Sequence, residues 1–298
     1  MECGCRRLLN GILATAFALA IAAPAASQQS SNAPAQQAAA AESDIAVPAD
    51  QHAWGRFPVG SWKSVRVTSE VLDEAGRITN VTITDTKTTL VAADAASYKL
   101  RVEVTVEVAG KRFSKLPETI TQGYQGEKAG QQVAVKRLGE AQVAIDGRAI
   151  DCEVRQATIE MDGLKRVSNI HYCGTVWPHQ FKRETTTLGP DDAQQTSTVT
   201  EVVALDLPEK VGGEMRWATH VKTTHKQPSG TKTTLEIQTA GIPGSVVSHS
   251  ATEHDAAGKM VRRSTLELRA FGVSDSRPGE FAGRRRQARK AARRMEGR

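Results

Sequence analysis

The sequence predicts an all-β protein: a large curved antiparallel meander sheet or half-barrel of about a dozen strands, arranged as one unit or as two in tandem. Apolar and polar residues alternate strictly from Tyr98 to Val108, which is typical of an antiparallel strand with one face in water. Turn motifs recur at strand-length intervals, and no long amphipathic helix pattern interrupts them.

Residues 1–27 predict a secretory signal peptide. Arg6 and Arg7 supply positive charge, residues 8–22 form an apolar run, and small residues suited to cleavage follow at 23–27. The alternative is an uncleaved anchor. Since no cysteine stands directly after the run, a lipobox is absent, and we expect a secreted or periplasmic protein.

Three further regions follow from composition. Residues 28–53 are rich in Gln, Ala, Ser and Pro and predict a disordered linker, because they offer too little apolar surface to offset the entropy of ordering. A β-rich domain is expected over 54–273, beginning at Trp54, and a basic tail over 274–298.

Turn chemistry divides the domain into strands. Residues 73–76 and 255–258 share the form Asp-x-Ala-Gly, which suits a tight turn, and Gly-containing pairs mark further hairpins. The predicted strands are 61–72, 77–91, 97–108, 111–122, 131–145, 151–161, 164–173, 179–188, 196–206, 214–224, 231–240, 246–254 and 259–271.

The dipeptide Asp162-Gly163 predicts a two-residue hairpin turn. If Met161 faces Leu164, the same register places Cys152 opposite Cys173. Loss of the signal peptide leaves these two as the only cysteines of the chain, and an oxidising compartment favours a disulfide between them. The alternative, a zinc site, requires two more ligands at suitable spacing.

An internal repeat is suggested by matched spacing. Pro178 and Pro243 are separated by 65 positions, as are Asp206 and Phe271. This spacing divides the domain into subunits 54–206 and 207–273. Convergent spacing of strands and turns is the alternative explanation.

These motifs carry a resemblance. The Gly60-Ser61-Trp62 opening, the cysteine pair and the connector Val176-Trp177-Pro178 before the strand at 179–185 resemble secreted bacterial β-rich proteins. Their architecture is similar to the LolA/LppX lipoprotein-carrier half-barrel. The resemblance implies binding of lipid or lipoprotein on an apolar concave face, without catalysis.

Enzyme motifs are scarce. The sequence has no Gly-x-Ser-x-Gly elbow, no phosphate-binding glycine loop and no His-Glu-x-x-His, so we expect no catalytic residues, no metal and no cofactor. His171 and His179 flank the Trp-Pro connector, and with Glu184 they are the candidates for a polar site that binds a metal or transfers protons. Solvated or structurally bonded histidines are the favoured alternative.

The positive charge is concentrated in the tail. The chain carries a formal charge of +6, of which 283–298 contributes +7 and 1–27 contributes +1, which leaves −2 for the remainder. We expect the tail to bind an anionic membrane surface or acidic polysaccharide, and expect no nucleic-acid partner for a secreted chain. A solvated tail without function is the alternative. The basic residues are Arg284, Arg285, Arg286, Arg289, Lys290, Arg293, Arg294 and Arg298.

Together these features predict an exported, non-catalytic protein of the cell envelope. Its expected function is to bind an apolar or amphiphilic ligand such as lipid or lipoprotein, in a concave cavity lined by Val, Leu, Ile and aromatic side chains. The alternative is a structural or interaction protein of the cell surface, tethered by its basic tail.

Overall fold

A computed structural model describes residues 47–128, 131–161 and 163–275. Within these ranges, 14 strands form one curved antiparallel sheet, which confirms the all-β prediction. A three-residue 3₁₀ helix, Ala49–Gln51, precedes the sheet, and no helix in these ranges is long and apolar enough to cross a membrane. The predicted signal peptide, the linker up to residue 46 and the tail from residue 276 lie outside the described residues.

The strands follow the predicted runs closely. The predicted run 111–122 divides into β4 and β5 at Pro117, because proline has no N–H to donate to the sheet. The strands are β1 Trp62–Leu72, β2 Ile78–Ala93, β3 Ser97–Val108, β4 Lys111–Ser114, β5 Glu118–Gly123, β6 Val133–Ile145, β7 Arg148–Met161, β8 Leu164–Tyr172, β9 Gln180–Leu188, β10 Gln194–Val211, β11 Glu214–Gln227, β12 Gly230–Gln238, β13 Val246–Asp255 and β14 Met260–Gly272.

The first and last strands meet in the middle of the sheet. β1 pairs with β2 on one side and with β14 on the other, so the sheet has one arm from β2 to β5 and a longer arm from β13 back to β6. β4 and β5 both pair with β3, over different halves of that strand. The boundary of the predicted subunits, after residue 206, falls inside β10, so both belong to one continuous sheet.

One face of the sheet carries most of the buried side chains. The pairing registers place Leu100 of β3, Ala251 of β13 and Ile170 of β8 on the same face, which we call the inner face. These three side chains are at most 3% exposed. A single row of paired residues on this face crosses twelve strands, from Val108 of β3 to Arg137 of β6.

The two arms of the sheet share a buried cluster. Leu90 and Leu100 from the short arm pack in the same cluster as Ala157 and Ile170 from the long arm. The sheet therefore curls until the inner faces of its two arms come together around this cluster.

The segment that precedes β1 is part of this cluster. Val47 is 5% exposed and Trp54 is 7% exposed within it, and the Tyr172 hydroxyl of β8 donates a hydrogen bond to Gln51. The prediction of a disordered linker through residue 53 is therefore wrong for its last seven residues, 47–53. Composition misled there, because Val47 and Ala49 pack on the cluster although the segment is otherwise mostly polar.

The predicted hairpin register is present. Met161 pairs with Leu164, and the same register continues without a shift to Glu153 and Tyr172. Asp162 itself lies outside the described residues, and Gly163 has a φ of 76°, as the turn requires. Cys152 directly precedes Glu153 in the chain, and Cys173 directly follows Tyr172.

Candidate ligand-binding face

The inner face is apolar along β1 and β3. Alternation places Val102, Val104, Val106 and Val108 of β3 on it, and Val67 of β1 lies in one row with Val106. The intervening β2 contributes threonine methyl groups to the row. Val104, Val106 and Val108 are partly exposed, although they lie on the face that is buried elsewhere, whereas Val102 packs against the cluster shared by the two arms. We call these valines, with Val65 and Leu266, the apolar wall.

The inner face carries a stretch of polar side chains from β8 to β12. Hydroxyl groups bond to one another across neighbouring strands: Ser168 to Thr185 at 2.9 Å, and Thr200 to Thr223 at 3.1 Å. These pairs satisfy the hydroxyls that the sheet buries, at little net cost in stability. We call this surface the polar wall; its members are Arg166, Ser168, Arg183, Thr185, Thr187, Thr198, Thr200, Thr223, His225, Lys232 and Thr234.

Two cations share one carboxylate on the inner face of β12 to β14. Glu253 lies 3.7 Å from Lys232 and 3.4 Å from Arg262, and all three are about a quarter exposed. The nearby His249 is 8% exposed and its Nε2 has no hydrogen-bond partner. Burial, and secondarily the charge of Lys232, lowers the pKa of His249 to about 4, so it is neutral near pH 7.

Lys63 of β1 is satisfied by backbone groups. Its Nζ donates to the carbonyl oxygens of Gly244 at 3.0 Å and Val246 at 3.2 Å. Burial lowers its pKa to about 8, against the opposing effect of Glu236. Lys63 thus ties β1 to the loop before β13 and has few donors left for a ligand.

Arg166 and Arg183 form the strongest positive charge of the polar wall. Arg183 donates to the carbonyl oxygen of Gln125 at 3.3 Å and to the Ser168 hydroxyl at 3.2 Å, while Arg166 donates to the carbonyl oxygen of Gly126 at 3.2 Å. The loop between β5 and β6 therefore brings the two guanidinium groups close together. Burial, and then the charge of Arg166, lowers the pKa of Arg183 to about 10.

The predicted disulfide residues lie in one buried cluster. Cys152 is 3% exposed and Cys173 is 7% exposed, and both pack with Phe181. The structure records both as free thiols. Burial, and then the neighbouring Cys173, raises the pKa of Cys152 to about 11, which keeps it protonated and unreactive near pH 7. The disulfide stays a prediction.

The predicted polar-site residues divide between different surroundings. His179 is structurally bonded: its Nδ1 donates to the Cys173 carbonyl oxygen at 3.0 Å, and its ring contacts Tyr172 and Trp177. His171 directly precedes Tyr172 in β8, so the two side chains lie on opposite faces of the sheet. Burial lowers the pKa of His171, as does Lys182, while Glu184 raises it.

A metal site is not formed by these residues. Glu184 is paired with Lys182 at 2.7 Å. Among the described residues, no three His, Cys, Asp or Glu side chains are grouped so that they can hold a metal ion. The basic residues assigned to anionic surfaces, Arg284 to Arg298, lie outside the described residues.

Sequence reasoning missed the polar character of the inner face. It expected a lining of Val, Leu, Ile and aromatic residues, whereas on β12 Thr234 is 8% exposed and the next residue, Leu235, is 43% exposed. Alternation shows that a strand has two faces, but the partner strands decide which face is inside. A usable signal was the abundance of threonine, at three consecutive positions of β9 and at alternate positions of β10.

Comparisons with known proteins assign no family. No protein-family model matches the chain, and no curated protein matches it in sequence. Two solved structures are similar at 8% identity, and each covers 72% of this chain at a TM-score of 0.28. One is a protein from Bacteroides fragilis described as exported with a YmcC-like fold, of which 98% is covered; the other, from Parabacteroides distasonis, is described as a lipoprotein and is 97% covered.

Proposed function

We propose that this protein is an exported, non-catalytic module that binds an amphiphilic ligand on the inner face of its sheet. The single observation that carries the proposal is the contrast on that face between the apolar wall and the polar wall. An amphiphile matches both chemistries at once, whereas a purely apolar ligand offers no acceptor to the arginines of the polar wall.

The exposure of the apolar wall supports this assignment. A contiguous row of partly exposed valines is unfavourable in water, since each buried CH₂ contributes about 0.8 kcal/mol. An acyl chain laid along Val104 and Val106 removes that surface from water. The short arm supplies this row from neighbouring positions of one strand, so a straight chain fits it.

The experiment is mass spectrometry of an organic extract of protein secreted by bacteria and purified without detergent. We expect a co-purified amphiphile in the wild type. In Val104→Gln we expect about ten-fold less of it, because an amide facing an acyl chain costs roughly 1–3 kcal/mol.

Thr105→Gln is the matched control. Thr105 is the next residue of β3 and lies on the other face of the sheet, so its substitution should leave the extracted amount unchanged. Equal melting temperatures of the two variants confirm that both fold. An extract without amphiphile, or equal loss in both variants, contradicts the proposal and favours a structural protein.

A further inference from the structure

The two guanidinium groups of Arg166 and Arg183 differ from Arg155, Lys232 and Arg262 of the inner face, because no carboxylate in the described part of the chain lies within salt-bridge distance of them. Arg155 lies 3.0 Å from Glu153, and Lys232 and Arg262 share Glu253. Among the described residues, the contacts of Arg166 and Arg183 are with neutral oxygens only. Two half-buried cations that no carboxylate contacts directly are costly, and that cost is relieved by an anion.

Unused donors remain at this position. Each guanidinium group has five N–H donors, of which the contacts above use few. Arg166 Nε is buried and has no hydrogen-bond partner in the structure. Thr187 lies directly opposite Arg166 on β9, and Thr185 lies between Thr187 and Arg183 on the inner face. Two guanidinium groups around such hydroxyls present donors from several directions, which suits the oxygens of a tetrahedral anion.

The carboxylate of Glu127 lies close to the two arginines without pairing to either. Its Oε2 accepts a hydrogen bond from the Gln125 backbone N–H at 2.9 Å. Its charge acts on both guanidinium groups and opposes the lowering of their pKa by burial. The carboxylate also packs against Gly123, at a position where any larger residue would meet it. The three groups together retain one net positive charge.

We propose that Arg166 and Arg183 form a binding site for a phosphate group, carried as the head group of the amphiphile. The inference rests on the proposed function, because it assigns the polar end of the same ligand. The phosphate accepts hydrogen bonds from both guanidinium groups, and its charge balances theirs. The acyl chain then runs from the polar wall toward the apolar wall.

The test is isothermal titration calorimetry of the full chain with three probes, each below its critical micelle concentration where it has one. The probes are n-dodecyl phosphate, n-dodecyl maltoside and inorganic phosphate. We expect n-dodecyl phosphate to bind most tightly. In the double variant Arg166→Gln, Arg183→Gln its affinity should fall by about ten-fold or more, since charge-assisted hydrogen bonds are lost.

Two further variants sharpen the result. The matched control Arg101→Gln, Arg263→Gln removes the same charge from half-exposed positions on the other face of the sheet, and should leave binding unchanged. Glu127→Gln keeps the acceptor for the Gln125 N–H and removes the repelling charge, so it should tighten binding of n-dodecyl phosphate several-fold.

The outcomes separate this inference from the proposed function. Equal affinity for n-dodecyl phosphate and n-dodecyl maltoside, unchanged in the arginine variant, overturns the phosphate site and leaves amphiphile binding intact. Inorganic phosphate binding as tightly as n-dodecyl phosphate supports the site and overturns the amphiphile. Absence of binding by all three probes overturns both. Equal loss in the arginine variant and its control also overturns the site, because charge alone then explains the change.

Discussion

The inner faces of β3 and β9 have the same period and opposite chemistry. On β3 the alternate inward residues are valines from Val102 to Val108, whereas on β9 they are Arg183, Thr185 and Thr187. In both strands successive side chains point to opposite faces of the sheet, but only β3 also alternates apolar with polar residues. The difference shows that one continuous sheet carries an apolar and a polar lining on the same side.

The largest expected difference in the free energy of unfolding is between a residue of the cluster that joins the two arms and a residue of the apolar wall. Leu100 is 1% exposed in the cluster that joins the two arms, so Leu100→Ala should lower the free energy of unfolding by about 2–5 kcal/mol. Val104→Ala, four positions along the same face, should lower it by less than about 1 kcal/mol, because Val104 is already half-exposed.

Chemical denaturation of both variants measures this difference. Similar losses for Leu100→Ala and Val104→Ala would mean that the apolar wall is packed as tightly as the cluster. That result leaves no space for an acyl chain along Val104 and Val106.

A second effect concerns His52, which is half-buried, and His249, which is buried. Burial lowers the pKa of His52 and of His249 to about 4. Because unfolding restores a pKa near 6.5, the folded state binds fewer protons between pH 6.5 and 4. The free energy of unfolding should therefore fall as the pH drops through that window, by at most about 1.4 kcal/mol per pH unit for each histidine.

The two histidines occupy different surroundings. His52 Nδ1 accepts hydrogen bonds from the backbone N–H groups of Trp54 and Gly55, which protonation abolishes. His249 faces Leu266 and Glu236 on the neighbouring strands. Denaturation of His52→Gln and His249→Gln across this pH range should show a shallower slope than the wild type. A slope equal to that of the wild type in both variants would contradict the lowered pKa of the two histidines.

Much of the fold follows from local signals in the sequence. Asp255 begins its turn by accepting backbone N–H bonds from Ala257 and Lys259, and Asp73 does the same from Ala75 and Arg77, so these strand ends were predictable. The extension of β10 to Val211 was not, because register shifts between Val202 and Leu207 interrupt the alternation.

The candidate site was less predictable than the strands that carry it. Arg166 and Arg183 become neighbours only through pairing of β8 with β9 and through contacts with a loop about forty residues or more away in the chain. Threonine and valine both favour strands, so composition does not distinguish the polar wall from the apolar wall. The site depends on contacts between side chains from distant segments, and a sequence alone does not show which segments meet.

The most direct test of the central claim is NMR of the side chains on both walls during titration with n-dodecyl phosphate. The account predicts shifts of the valine methyl groups of Val104 and Val106 and of the guanidinium Nε groups of Arg166 and Arg183. The methyl groups of the outward-facing Val81 and Val203, each about 40% exposed, should stay unchanged. Shifts confined to those outward valines would contradict the account, and so would unchanged signals on one or both walls.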